Sequence, residues 1–183
     1  MPIQCRTRGL VGLIIPLISV VISATYSPWF NILNNALSDL GNPHLSTTAL
    51  IFNTGLVIGG VLIVVFALAD VLKYNAVLAF ILELLGSFLT LIGIINESYG
   101  HMHFIVSAIF FTLATILLAY LALTLKSILP LISFAIVVIV WTVYFVFKIP
   151  KGAAIPETIS ITMVIPWYLK TINMSCKSVF RDN

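Results

Sequence analysis

The chain has 183 residues, of which 61% are hydrophobic and 8% charged, with a mean hydropathy of +1.16. Soluble domains carry roughly a quarter charged residues to cover their surface, so this composition excludes a water-soluble globule and calls for lipid as the outer solvent. The formal charge of +3 is small, and no nucleic-acid partner is expected.

A membrane-spanning helix needs about 20 mostly apolar residues. Arg6 and Arg8 precede an apolar run in the manner of a secretory signal, but no small-x-small cleavage site follows Ala24, where Tyr26, Pro28 and Trp29 come next. The segment therefore reads as an uncleaved first span over 10–25. Further spans are predicted over 47–68, stopped by Asp70 and Lys73; 74–96, interrupted by Glu83; 103–125; 128–147; and 155–172, the most polar, with Glu157 and Pro166. Spanning backbone must satisfy its own hydrogen bonds in hydrocarbon, and continuous apolar runs do not suit a barrel. The fold class is thus all-α: a polytopic bundle of six transmembrane helices forming one domain, 1–183.

Between spans one and two, Ser27 suits an N-cap, Pro28 the first helical position and Gly41 the C′ position. Trp29, Phe30, Leu33, Leu37 and Leu40 recur at helical spacing opposite Asn31, Asn34, Asn35 and Ser38, which predicts an amphipathic helix lying at the outer membrane surface or folded back onto the bundle. In span two, Gly55 and Gly59 are four apart and permit close helix approach; internal packing is the first reading and homodimerisation the second. Tyr26, Trp29, Tyr99, Trp167 and Tyr168 fall near span ends, as interfacial aromatics do, and Trp141 lies deeper. Cys5 and Cys176 lack metal-type spacing and read as two free thiols.

Six spans put both termini on one side. Arg6, Arg8, Lys73, Lys126, Lys170, Lys177 and Arg181 fall there, against Lys148 and Lys151 opposite. The positive-inside rule then places both termini in the cytoplasm, in the cell membrane.

The acids are Asp39, Asp70, Glu83, Glu97, Glu157 and Asp182. On this topology Asp39, Glu97 and Glu157 lie toward the outer face with all three histidines, His44, His101 and His103. Asn35 and Asp39 are four apart, as are His103 and Ser107, so each pair shares a helix face. Asp39, His101, His103 and Glu157 are the candidate catalytic residues and the candidate ligands of a divalent metal, with Glu97, His44, Asn35 and Glu83 behind them. On one continuous helix His101 and His103 point about 200° apart, so both face one ion only if span four starts after His101. No HExxH or comparable metal signature is present, and without a phosphate-cradling glycine loop nucleotide-driven chemistry is not expected. Glu83, near the middle of span three, should face the bundle interior, with Asn53, Ser87 or Thr90 as partners.

Tyr26-Ser27-Pro28-Trp29-Phe30 and Asn35-Ala36-Leu37-Ser38-Asp39-Leu40-Gly41, with Gly100-His101-Met102-His103-Phe104 and Ala154-Ile155-Pro156-Glu157, resemble the prokaryotic domain-of-unknown-function family 998 over nearly the whole chain. Leu37-Ser38-Asp39-Leu40-Gly41 before span two is distantly similar to the autophagy-modulator (DRAM-like) and GPI-lipid-remodelling membrane proteins. Both resemblances imply six spans, and the second implies a lipid-facing role by analogy.

Three functions follow in order. The first is a non-enzymatic scaffold, a subunit with a membrane partner or a homo-oligomer, or a lipid-binding bundle, whose outer polar groups bond one another. The second is an outer-leaflet lipid-processing or metal-dependent enzyme, whose carboxylates and imidazoles surround one pocket. The third is a small-molecule or proton transporter with a polar path past Glu83.

Overall fold

The computed structural model describes residues 2–178; Arg181 and Asp182, counted above, lie outside them. The described residues form six α-helices: α1 (Pro2–Thr25), α2 (Ala49–Phe66), α3 (Ala76–Ile94), α4 (His101–Leu125), α5 (Ile128–Phe147) and α6 (Ala154–Ser178). The first five are long and apolar enough to cross a membrane, α2 together with the π-helical turn Ala67–Val71 that extends it. α6 has 25 residues and is more polar, and its Glu157, Ser160, Thr171 and Ser175 are buried.

Local chemistry sets the helix ends. The Asn75 side chain accepts the Leu78 N–H at 2.9 Å to start α3, a cap of the usual kind, and accepts the Tyr120 hydroxyl of α4 at 2.9 Å as well. α4 and α5 end on Lys126 and Lys148 in the left-handed region. Each helix packs on its chain neighbour, and α6 closes the ring against α1 and also touches α4. Leu78, Leu82, Leu117, Leu118, Leu121 and Ile172 fill the centre. Gly55 and Gly59 face Ser19 and Pro16 of α1, and Gly60 faces Gly86 of α3, so the small residues of α2 serve packing inside the bundle.

Several expectations need correction. Residues 26–41 do not form a continuous amphipathic helix. They run through turns into a single 3-10 helix, Leu37–Gly41, because Asn31, Asn35 and Asp39 bond nearby backbone N–H groups and so compete with helical bonding. Asp70 does not stop α2. It sits in the π-helical turn, buried, where Arg8 of α1 neutralises it. Trp167 and Tyr168 are buried rather than belted at an interface, donating to Ser133 Oγ at 2.9 Å and to the Gly9 carbonyl at 3.2 Å.

Cys5 and Cys176 are not free thiols; they form a disulfide. The first turn of α1 and the last turns of α6 meet at one end of the bundle, a proximity that sequence spacing does not reveal. The bridge closes a separation of 171 residues. Reduction should therefore cost about 2 kcal/mol, the low end of the usual range, since a lipid-held chain retains structure when loosened. The expected observation is a lower melting temperature in dithiothreitol for the native chain and no reductant effect on a Cys5→Ser, Cys176→Ser variant. Equal melting of the native chain with and without reductant would refute the bridge's contribution.

Candidate functional site

The polar residues at the end of the bundle opposite the disulfide form one connected network. Asp39 Oδ2 accepts the Ala36 N–H at 3.0 Å and the Asn35 side-chain amide at 3.1 Å, so its carboxylate caps the 3-10 helix that carries it. The far end of that helix is tied to α2, where Asn53 Nδ2 donates to the Gly41 carbonyl at 2.9 Å. Glu157, in the first turn of α6, accepts the Leu37 N–H at 2.6 Å. Ser38 donates to Glu97 Oε2 at 3.0 Å, and the same oxygen lies 3.1 Å from His103 Nε2.

His103 is buried and its tautomer is constrained. Nδ1 lies 2.6 Å from the Ile95 carbonyl, which can only accept, so Nδ1 carries a proton. Nε2 then accepts the Ser107 hydroxyl, at 3.1 Å, when the ring is neutral, and donates to Glu97 when the ring is charged.

The predicted residues separate into two groups. Asp39, Glu97, Glu157, His103 and Asn35 belong to the network. His101 does not: α4 begins at His101, not after it, so the helical rotation turns His101 away from His103. It is exposed and stacks on Phe104 with centroids 6.4 Å apart. His44 is exposed on its turn, its N–H bonded to the Asn42 side chain. Glu83 lies apart on α3 with Ser87 as its partner at 3.3 Å; Asn53 and Thr90, the other expected partners, bond the Gly41 and Gly86 carbonyls instead. Among the described residues no three His, Cys, Asp or Glu side chains are placed to hold a metal ion.

The network also borders a cavity of about 680 Å³, within the usual range for small-molecule sites. Ser38, Glu97, His103, Ser107, Tyr144 and Glu157 line its polar end. The rest is a groove between α4 and α5, walled by Phe104, Ala108, Phe111, Thr112, Thr115, Val138, Trp141, Thr142, Phe145 and Val146. The threonine hydroxyls bond their own helices at 2.7–2.8 Å, so this wall is effectively apolar. Ala108, Thr112, Val138 and Val146 are exposed, so the groove faces out of the bundle. From His103 to Thr115 it follows α4 for about 18 Å at 1.5 Å per residue, roughly the depth of one leaflet's hydrocarbon. No signal in the sequence marked this groove, because it depends on how far apart α4 and α5 stand.

A second cavity, about 120 Å³ in the bundle centre, is lined almost wholly by apolar side chains such as Leu13, Leu56, Leu82 and Leu117. Glu83 borders neither cavity.

This is a helical membrane-type protein with a mixed polar and apolar groove at one end. The chain belongs to the family described as protein of unknown function (DUF998), whose model matches residues 10–171. No curated protein and no solved structure matches it.

Proposed function

We propose that this protein is a six-span bundle of the cell membrane that binds a membrane lipid in the groove between α4 and α5. The observation that carries this reading is the groove itself, polar at one end and apolar along a leaflet's depth. A lipid matches that order of surfaces, with its headgroup against Ser38, Glu97, His103 and Glu157 and a chain along Thr112, Thr115 and Val138.

Two contacts support α6 as the sixth span. Its first turn meets the loop after α1 through Glu157 and Leu37, and its last turns meet the start of α1 through Cys176 and Cys5. It therefore runs antiparallel to α1 over the same height. Part of its low hydropathy comes from Glu157, Ser160, Thr171 and Ser175, which are buried in the bundle, and part from the exposed Lys170, Asn173 and Lys177 of its last turns. The basic residues then favour cytoplasmic termini, with the groove's polar end at the outer face. Cytosolic thiols are ordinarily kept reduced, but Cys5 and Cys176 are 1% and 7% exposed, which confines attack by a thiolate to moments when that end of the bundle opens, as it does on heating.

Binding accounts for the site better than catalysis or transport does. The Ser107–His103 pair has the spacing of an activated serine. However, Ser107 lies within α4, whose neighbouring amides are used in helical bonds, so no backbone pair is left to stabilise an oxyanion. A transport path would have to cross the apolar centre of the bundle. The test is a lipid-binding measurement on an Ala108→Trp variant, which fills the groove at an exposed wall position. The expected result is loss of co-purifying lipid, counted by native mass spectrometry, with melting unchanged. Undiminished lipid on a folded variant defeats the reading.

A further inference from the structure

We propose that the lipid held in the groove carries a cationic amine headgroup; this deepens the binding reading above and rests on it. Two carboxylates, Glu97 and Glu157, line the polar end, and among the described residues no lysine or arginine lines it. The nearest compensating group is His103, at 3.1 Å from Glu97. Even as an imidazolium it balances one carboxylate of the two, so with both acids ionised the pocket is negative in either state of the ring. An anionic headgroup is repelled there, and an ammonium is attracted.

The aromatic groups point the same way. Trp141 lies 5.2 Å from Phe111, 5.8 Å from Tyr144 and 5.5 Å from Phe145, ring centre to ring centre. All four line the same groove as the carboxylates. Trp141 is fixed by its indole N–H, which donates to Ser160 Oγ at 2.9 Å. Ring faces attract an ammonium, the more so when water is excluded. The protein supplies an example at the rim, where the exposed Lys148 Nζ sits 5.9 Å from the centre of the Phe145 ring. An amine headgroup entering from the membrane meets the same ring type one turn deeper, with carboxylates behind it. The groove's apolar length is what selects a membrane lipid over a free amine.

The experiment uses the full chain in maltoside micelles and native mass spectrometry with four probes: dodecylamine, dodecanol, dodecanoate and butylamine. Dodecylamine should bind about tenfold more tightly than dodecanol, the factor that 1.4 kcal/mol of headgroup attraction produces. Dodecanoate should bind most weakly of the three long chains, and butylamine should not be retained. Glu97→Gln should narrow the advantage of dodecylamine over dodecanol several-fold. Glu157→Gln should do the same, and Glu97→Gln stands alone as the test if loss of the Glu157 carboxylate unfolds the loop. Equal binding of dodecylamine and dodecanol overturns the amine inference and leaves the groove intact. Butylamine bound as tightly as dodecylamine overturns the lipid source. If no long-chain probe binds, the groove reading itself fails.

Discussion

Arg8→Ala should lower stability by about 3 kcal/mol, the low end of the cost of breaking a buried ion pair from one side. Arg8 grips Asp70 with both arms of the guanidinium, Nε to Oδ2 at 2.8 Å and a terminal nitrogen to Oδ1 at 2.7 Å. The arginine side chain is 33% exposed and the aspartate 3%, so the loss falls on the carboxylate, which stays enclosed without its counter-charge. Arg8→Lys should recover only part of it, because an ammonium cannot make the parallel pair of bonds. The decisive variant is double. Arg8→Met with Asp70→Leu removes both charges and should be markedly more stable than Arg8→Ala alone, since an apolar pair of similar volume often replaces a buried ion pair without loss. Thermal melting in detergent reads all three. A double variant that melts below the single one would show that the uncompensated Asp70 carboxylate is not the source of the loss.

That pair also shows where sequence reasoning stops. The basic flank of span one and the acid at the end of span two were both legible, and both were assigned to one side of the membrane. Their contact needed the packing of α1 on α2, which no spacing encodes. The helices themselves were legible because a long apolar run has few other outcomes in hydrocarbon. Pairs four apart were legible for the same geometric reason, as His103 and Ser107 demonstrate. Asn35 and Asp39 did meet, but by turns rather than along the expected helix. Asp39 and Glu157 bond backbone N–H groups at Ala36 and Leu37, and such partners leave no trace in residue identity. The sequence placed Glu97, Glu157 and His103 at one end of the bundle; that they border a cavity followed only from the separation of α4 and α5. The disulfide was hidden likewise, its cysteines being neighbours only once α6 lies along α1.

Gly152 holds the site together at a point the sequence left unremarked, and Gly152→Ala should destabilise the protein by about 3 kcal/mol, the upper end for an overpacked position. A Cβ there would overlap the backbone carbonyl, nitrogen and carbon of Asn35. A flexible side chain could swing aside, but this obstacle is main chain fixed from three directions. The Gly152 N–H donates to the Leu33 carbonyl at 3.0 Å, the Ala154 N–H donates to the Asn35 carbonyl at 2.9 Å, and the Asn35 amide is held by Asp39. To admit a methyl group, the segment 33–39 must lift off the start of α6. Lifting it separates the Leu37 N–H from Glu157 and Ser38 from Glu97, and those two bonds set the polar end of the groove. Amphiphile binding should therefore fall together with melting temperature. Lys151→Ala, a neighbouring exposed position, should change stability by no more than about 0.5 kcal/mol. The coupling of the two losses is the informative result, because a merely destabilised bundle would keep its groove below its melting point. If Gly152→Ala stays folded with binding intact, the docking of 33–35 on 152–154 does not shape the site.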